Sequence, residues 1–197
     1  MLKGNAYLKK ADERLGTIIS SVSLPTLYWS GYVFEDLVSC ILDMQIRYRG
    51  NAVRYKRLKD LLENAPITAE NLFSIGDTGL AKIKMSGQKY KVLVTLADHW
   101  QQHRLEVTDF QNLSDEDVKS ILLNIKGIGN WTVDMILLYT LQRPNIFPVG
   151  DFHLKKIMKQ VYEIQDNENL KKEMLDIAEE WKPYQSIAVL YLLEWKK

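Results

Sequence analysis

The segment Leu123-Asn124-Ile125-Lys126-Gly127-Ile128-Gly129-Asn130-Trp131-Thr132 decides the fold, because it joins two stretches of helical periodicity through a glycine–hydrophobic–glycine turn. Such a turn lets the backbone adopt positive φ and approach a partner closely. Ile125 and Ile128 are expected to anchor the loop against the two helices. The next helix begins near Asn130, so its unsatisfied N–H groups point outward and favour an anion such as a phosphodiester. An ordinary turn between helices, ended by a glycine C-cap, explains the same residues equally well.

The rest of the chain also shows helical periodicity. Apolar residues follow the spacing of one buried helix face in segments that begin at Phe34, Tyr90, Ile121 and Leu170. Strand alternation and the hairpin dipeptides Asn-Gly and Asp-Gly are absent. Glycine and proline breaks divide the sequence into about ten short helices. Ser114 and Asp151 each precede a helical segment and are predicted to be N-caps. We therefore predict an all-α fold.

The composition excludes several classes of protein. With 197 residues, of which 46% are hydrophobic, the chain is neither disordered nor too short to bury a core. The single cysteine excludes an internal disulfide and a cysteine-ligated iron–sulfur cluster. No window resembles a membrane span or a secretory signal. We expect an intracellular protein, in the cytoplasm (nucleoid) or the nucleus, with no membrane partner.

The net charge of +1 conceals an uneven distribution of basic residues. Six basic residues and no acid lie between Arg47 and Lys59, and four more lie between Lys82 and Lys91, again without an acid. Either tract alone is most simply the solvated face of a helix. Two tracts together with an anion-binding turn favour a polyanionic partner.

Two further motifs follow the turn. They are Phe147-Pro148-Val149-Gly150-Asp151 and Trp181-Lys182-Pro183-Tyr184-Gln185-Ser186. Together with Gly127–Thr132, in this order and at these separations, they resemble the helix–hairpin–helix (HhH-GPD) superfamily of DNA glycosylases. The pattern is most similar to that of the AlkA-type DNA-3-methyladenine glycosylases.

The resemblance implies a two-lobed helical bundle that contains a helix–hairpin–helix motif at about residues 117–141. Residues from approximately 30 to 125 would form the middle lobe, and residues 126–197 with the N-terminal helix would form the second. The whole chain, 1–197, would then be a single catalytic core without the additional N-terminal domain of larger family members. We expect this core to be a monomer that binds double-stranded DNA.

The resemblance also implies a reaction, hydrolysis of the N-glycosidic bond of an alkylated purine such as 3-methyladenine or 7-methylguanine in duplex DNA. The target nucleotide must first be flipped out of the helix. Positive charge then develops on the deoxyribose, and a carboxylate beside C1′ stabilises it. Asp151 corresponds to the catalytic carboxylate of the family. Without the family, an aspartate before a helix is an N-cap, and the two roles are compatible.

Trp131 specifies the subtype that the resemblance implies. In the lyase branch of the superfamily a lysine occupies this position and attacks C1′ as an amine. Trp131 cannot do so, which predicts a monofunctional hydrolase of the DNA-3-methyladenine glycosylase II type, without lyase activity. Its indole would stack on an electron-poor, cationic purine, although a core tryptophan remains the alternative. Tyr28, Trp29, Tyr32 and Tyr191 could complete the base pocket or could simply pack.

DNA contacts are predicted for three groups of residues. The first group is in the hairpin and comprises Lys126, Gly127, Ile128, Gly129 and Thr132. The second is in the loop after the first core helix and comprises Arg47 and Gln45, where Gln45 would be the wedge that fills the gap left in the DNA by the flipped nucleotide. The third is Lys89, in a separate basic tract. Family members often bind Na⁺ or K⁺ through backbone carbonyls at the hairpin, which here would be those of Ile125 and Ile128. No other cofactor, and no iron–sulfur cluster, is expected.

Two alternatives remain open at this point. The chain could be a glycosylase of the same fold that acts on hypoxanthine, ethenoadenine or a mismatched base. Departures from the family pattern at Met44, Arg47, Lys84 and Leu193 leave the base selectivity open in this way. It could also be a non-catalytic helix–hairpin–helix DNA-binding module. Asp151 favours an enzyme, because a module that only binds needs this carboxylate for nothing beyond capping.

Overall fold

A computed structural model describes residues 2–23, 30–43 and 52–195. The described residues form α-helices and contain no strand, which confirms the all-α prediction. The helices are α1 (Leu2–Ala11), α2 (Glu13–Ser21), α3 (Val33–Asp43), α4 (Val53–Leu61), α5 (Ala69–Ala81), α6 (Gly87–Gln102), α7 (Asp115–Leu123), α8 (Asn130–Met135), α9 (Phe152–Tyr162), α10 (Leu170–Glu179) and α11 (Gln185–Trp195). Within these ranges no helix has the length and apolar character that crossing a bilayer requires.

The chain divides into two compact units. Unit 1 comprises Met1–Leu27 and Gln142–Lys197, and therefore contains α1, α2, α9, α10 and α11. Its core includes the uncharged stretch Ala188–Leu192 of α11, in which every residue is buried. Asp12 connects three parts of this unit. One carboxylate oxygen, Oδ1, caps α2 at Leu15 N, and the other accepts hydrogen bonds from Tyr162 Oη (2.7 Å) and Trp181 Nε1 (2.9 Å).

Unit 2 comprises Tyr28–Leu141 and contains α3 to α8. The apolar stripe of α3 is buried as its periodicity predicts, and α8 continues into a π-helical turn, Ile136–Thr140, closed by a hydrogen bond from Leu141 N to Ile136 O (2.9 Å). The fully buried carboxylate of Asp36 accepts hydrogen bonds from Ser30 Oγ (2.7 Å) and Thr140 Oγ1 (2.5 Å). This carboxylate ties the start of α3 to the π-helical turn.

The boundary between the units differs from the division expected at residues 125 and 126. That division would separate the two helices of the hairpin from each other. In the structure α8 packs on α7, and the π-helical turn after α8 packs on α3. Residues 126–141 therefore belong with the middle lobe, and the boundary lies between Leu141 and Gln142.

Candidate functional site

The hairpin between α7 and α8 is built by two buried isoleucines and a series of turn hydrogen bonds. Ser114 caps α7 by accepting a hydrogen bond from Asp117 N (3.1 Å), as predicted. After α7, Ile125 N donates to Leu122 O (3.2 Å) and Ile128 N donates to Ile125 O (3.0 Å). Ile125 and Ile128 are buried, which confirms their role as anchors, while Lys126 is exposed. The apolar side chains thus hold the turn and leave its polar backbone at the surface.

The two glycines of the hairpin are required for different reasons. Gly127 has φ +98°, and a Cβ placed on it would lie 2.5 Å from Cγ2 of Val92 in α6. Only glycine fits such a position. Gly129 has φ −110°, is exposed, and a Cβ placed on it would meet no atom within 4 Å. Gly127 therefore serves the fold, whereas Gly129 leaves open space in front of the start of α8.

Helix α8 carries polar and aromatic groups at the edge of the hairpin. Trp131 and Thr132 are half-buried, so Trp131 is not enclosed in the core. Asp134 lies one helical turn after Trp131 and is also half-buried. Burial raises the pKa of Asp134 to about 6, and the positive charge of Lys119 opposes this shift. Sequence reasoning did not single out Asp134, although an acid before the apolar run Met135–Leu138 is a visible signal.

Lys89 binds the end of α3. Its ammonium group donates to Leu42 O (2.7 Å). The pKa of Lys89 is lowered by burial and by the neighbouring Arg54, and Asp43 acts in the opposite direction. Asp43 in turn accepts from Tyr55 N (2.9 Å) in the first turn of α4 and from Arg54 Nη1 (3.2 Å). Lys89 thus stabilises a helix C-terminus in this structure.

Much of the first basic tract is also engaged by the protein itself. Arg57 Nη1 donates to Ile83 O (3.2 Å), and Lys59 Nζ donates to Asn64 O (3.2 Å) and Ala65 O (2.9 Å). The three acceptor carbonyls belong to the segments that follow α4 and α5. Arg47 and Gln45, together with Tyr28 and Trp29, lie outside the described residues, so the structure gives no position for them.

Asp151 is the N-cap of α9 in unit 1. Its Oδ1 accepts a hydrogen bond from Leu154 N (2.7 Å), and its own N–H donates to Pro148 O (2.8 Å). The residue is 7% exposed, while the adjacent Phe152 is 72% exposed. The capping prediction is confirmed. The carboxylate is therefore held in one orientation close to the protein surface, at the positive end of a helix dipole.

The two described pocket tyrosines are placed differently. Tyr191 is only 4% exposed, and its hydroxyl accepts a hydrogen bond from Asn5 Nδ2 (2.8 Å) in α1. Tyr32 is 67% exposed, and its N–H donates to Ser30 Oγ (3.0 Å). Tyr191 is thus a packed residue of unit 1, with Asn5 as a partner that sequence reasoning did not identify. Tyr32 is available at the surface of unit 2.

Backbone carbonyls are the groups of the hairpin that suit an alkali cation. The carbonyl of Ile125 accepts the N–H of Ile128 and retains a second lone pair. Oxygen ligands of this kind suit hard cations. No cluster of three or more His, Cys, Asp or Glu side chains that could hold a metal ion occurs in ranges 2–23, 30–43 and 52–195.

Comparison with known proteins gives a family match over most of the chain. Residues 38–183 match the family described as HhH-GPD superfamily base excision DNA repair protein. Two Bacillus subtilis proteins are 32% and 30% identical to this chain over 123 and 126 residues, which is 62% of the chain in both cases. The second is named DNA-3-methyladenine glycosylase. The chain spans 42% and 40% of the lengths of these two relatives.

Solved structures show the same fold. The DNA-3-methyladenine glycosidase of Bacillus halodurans is 30% identical, with a TM-score of 0.75 over 96% of this chain and 88% of that one. The 3-methyladenine DNA glycosylase of Schizosaccharomyces pombe, solved in complex with abasic DNA, has a TM-score of 0.82 at 21% identity, over 97% of this chain and 95% of that one. Because the sequence identity to the Schizosaccharomyces pombe protein is only 21%, this similarity shows the shared fold alone.

Proposed function

The chain belongs to the HhH-GPD superfamily of base excision DNA repair proteins, and we propose that it is a monofunctional DNA glycosylase that removes N-alkylated purines from duplex DNA. The proposal rests on Asp151, a carboxylate fixed as an N-cap after the Phe-Pro turn at which the family carries its catalytic acid. Its relatives from Bacillus subtilis and Bacillus halodurans, named for activity on 3-methyladenine, support this substrate class.

The proposed reaction needs a negative charge beside C1′. The C1′–N bond breaks, the base leaves with the electron pair, and an oxocarbenium-like sugar remains until water forms the new C1′–O bond and releases a proton. The Asp151 carboxylate stabilises this sugar and orients the water. Leu154 N donates to Asp151 Oδ1, and the N-terminal end of α9 places positive potential beside this carboxylate.

Trp131 accounts for the proposed absence of lyase activity. An indole offers no amine that could attack C1′, so the product is an abasic site. We propose that its half-buried indole stacks on the alkylated purine cation, with a cation–π attraction of about 0.5–2 kcal/mol. Such a base is already a good leaving group, so a general acid is not needed. Removal of hypoxanthine, ethenoadenine or a mismatched base is the alternative. It predicts faster base release from duplex DNA that contains one of these bases than from duplex DNA that contains 3-methyladenine.

The hairpin is the proposed DNA backbone contact. Its exposed turn presents Lys126, the open space at Gly129 and the first N–H groups of α8, and Ile128 and Thr132 flank them. A Na⁺ or K⁺ ion held by the carbonyls of Ile125 and Ile128 would add positive charge beside the phosphate. We propose that the protein binds double-stranded DNA as a monomer and flips the target nucleotide out of the stack.

Base release from methylated duplex DNA tests the proposal. Wild-type protein should release 3-methyladenine and 7-methylguanine without cleaving the strand. Asp151→Asn keeps an N-cap side chain of nearly equal capping strength, so only the charge is lost. We expect its single-turnover rate to fall by about 100-fold or more, with DNA binding retained.

A matched control is Asp166→Asn, which removes one carboxylate charge from the same unit at an exposed position paired with Lys159. It should release bases at the wild-type rate. Binding of DNA without release of any damaged base by the wild type would instead identify a non-catalytic helix–hairpin–helix module. Equal release by wild type and Asp151→Asn would remove Asp151 from the mechanism.

A further inference from the structure

The segment that precedes Asp151 in the chain lies outside any helix. Residues 143–150, here termed the Asp151 loop, follow the end of unit 2 and precede α9. A loop without regular structure does not fix its own geometry, so the position of Asp151 depends on what the loop is bonded to. Several of its anchoring bonds come from the first turn of α11.

Ser186 makes three of these bonds. Its hydroxyl donates to Arg143 O (2.5 Å) and accepts from Ile146 N (2.9 Å), and its own N–H donates to Pro144 O (3.1 Å). Ser186 is buried, so neither hydroxyl bond is exchanged readily for water. One side chain thus joins two points of the Asp151 loop that are three residues apart.

Three further contacts lie between these anchoring bonds and the Asp151 carboxylate. The ring of Phe147 stands edge-on to Trp181, with 5.8 Å between ring centroids and an interplanar angle of 74°. Beyond Phe147, Val149 N donates to Phe147 O (2.8 Å) and Asp151 N donates to Pro148 O (2.8 Å). A series of contacts therefore runs along the Asp151 loop, from Arg143 to the N-cap of α9.

We propose that Ser186 is a positioning residue for Asp151, which acts by holding the Asp151 loop and touches neither DNA nor the reacting atoms. The inference rests on the proposed function, in which Asp151 is the catalytic carboxylate. It also gives a physical reason for the serine that ends the Trp181–Ser186 motif. The single Oγ atom of Ser186 both accepts from Ile146 N and donates to Arg143 O, and an alanine at this position could do neither.

Ser186→Ala and Ser186→Thr test this role against Ser20→Ala. Ser20 belongs to the same unit and its hydroxyl also donates to a backbone carbonyl, Gly16 O (2.8 Å), but it has no bond to the Asp151 loop. Three quantities are measured for each variant: amide hydrogen exchange at Ile146 and Asp151, the single-turnover rate on duplex DNA that contains 3-methyladenine, and the Kd for duplex DNA with a stable abasic analogue.

We expect Ser186→Ala to exchange faster at both amides and to lose about 10- to 100-fold in single-turnover rate, because small displacements of a catalytic group have effects of this size. The Kd should stay at the wild-type value. Ser186→Thr, which keeps the hydroxyl, should recover most of the rate, and Ser20→Ala should match the wild type in all three measurements.

An unchanged rate for Ser186→Ala would overturn the positioning role while leaving the glycosylase intact. A parallel loss of rate and DNA binding, with no rescue by threonine, would show a general contribution to folding and would overturn it as well. If the wild type releases no damaged base although its Ile146 amide is protected, the proposed function fails, and the inference fails with it.

Discussion

Gly127 in the hairpin lies directly against Val92 in α6, so closely that a Cβ on the glycine would lie 2.5 Å from Cγ2 and 3.0 Å from Cγ1 of the valine. The glycine also has φ +98°. Two independent requirements, backbone conformation and close packing, therefore fall on one residue. Gly129, two positions later, is subject to neither requirement. The hairpin thus separates a glycine that serves folding from one that leaves room for a ligand.

Gly127→Ala should destabilise the protein. An alanine at positive φ costs about 1 kcal/mol or more, and the contact with Val92 adds a similar or larger overpacking term. We expect the free energy of unfolding to fall by about 2–4 kcal/mol, measured by urea denaturation followed by circular dichroism.

Gly129→Ala should have the opposite profile. Its added methyl group meets no protein atom, so the urea midpoint should stay at the wild-type value. If a backbone phosphate approaches this glycine, the methyl group should weaken binding of duplex DNA by about 10-fold, measured by fluorescence anisotropy. Wild-type affinity for DNA in this variant would show that the phosphate contact lies elsewhere.

Asp12→Ala should be among the most destabilising substitutions in unit 1. It removes the cap of α2 and leaves Tyr162 Oη and the Nε1 group of the fully buried Trp181 without their acceptor. An N-cap and a buried donor contribute about 1 kcal/mol and 1–3 kcal/mol respectively, so a loss of about 3 kcal/mol is expected in urea unfolding. Tyr162→Phe removes one of the donors and should cost about 1 kcal/mol. Equal losses for the two variants would show that Trp181 and the cap contribute nothing.

The sequence predicts those features that depend on neighbouring residues. The spacing of Phe34, Leu37 and Val38 is a property of one helix, and their burial follows from it. The N-caps at Ser114 and Asp151 are likewise local signals. The hydrogen bond between Asp12 and Trp181 joins positions 169 residues apart, and no pattern along the chain reports such a pair.

The sequence also does not reveal which basic side chains are already bonded to the protein itself. From the sequence, the basic residues near α4 and α6 appear equally available for DNA. In the structure Lys59, Arg57 and Lys89 donate to backbone carbonyls of the segments after α4 and α5 and of the last turn of α3. The boundary between the lobes could not be predicted either, since it depends on the packing of the π-helical turn Ile136–Thr140 on α3.

Asp134 should make stability depend on pH in an unusual direction. Burial raises its folded-state pKa from 3.8 to about 6, so the unfolded chain releases this proton first as pH rises. Its contribution to stability is therefore present in full below about pH 4 and is lost between about pH 4 and pH 6. Asp134→Asn removes this loss. Allowing for solvent screening at a half-buried site, the variant should be more stable than the wild type by about 1 kcal/mol at pH 7 and equal to it near pH 4.

Urea midpoints at the two pH values check this expectation. Lys119→Met provides the control, because the Lys119 charge opposes the shift and its loss should enlarge the difference between pH 4 and pH 7. A constant difference between Asp134→Asn and the wild type across this range would contradict a raised pKa.

Lys126 and Lys89 should contribute differently to DNA binding. Lys126 is exposed in the hairpin, whereas the ammonium group of Lys89 donates to Leu42 O. A lysine that contacts phosphate releases condensed counterions, so Lys126→Gln should reduce the slope of log Kd against log salt by about 1. Lys89→Gln should leave that slope unchanged and instead lower the urea midpoint, because the C-terminus of α3 loses a half-buried donor. If Lys89→Gln changed the slope as much as Lys126→Gln, Lys89 would have to leave Leu42 and bind phosphate in the complex, and the second basic tract would regain the role that its sequence suggests.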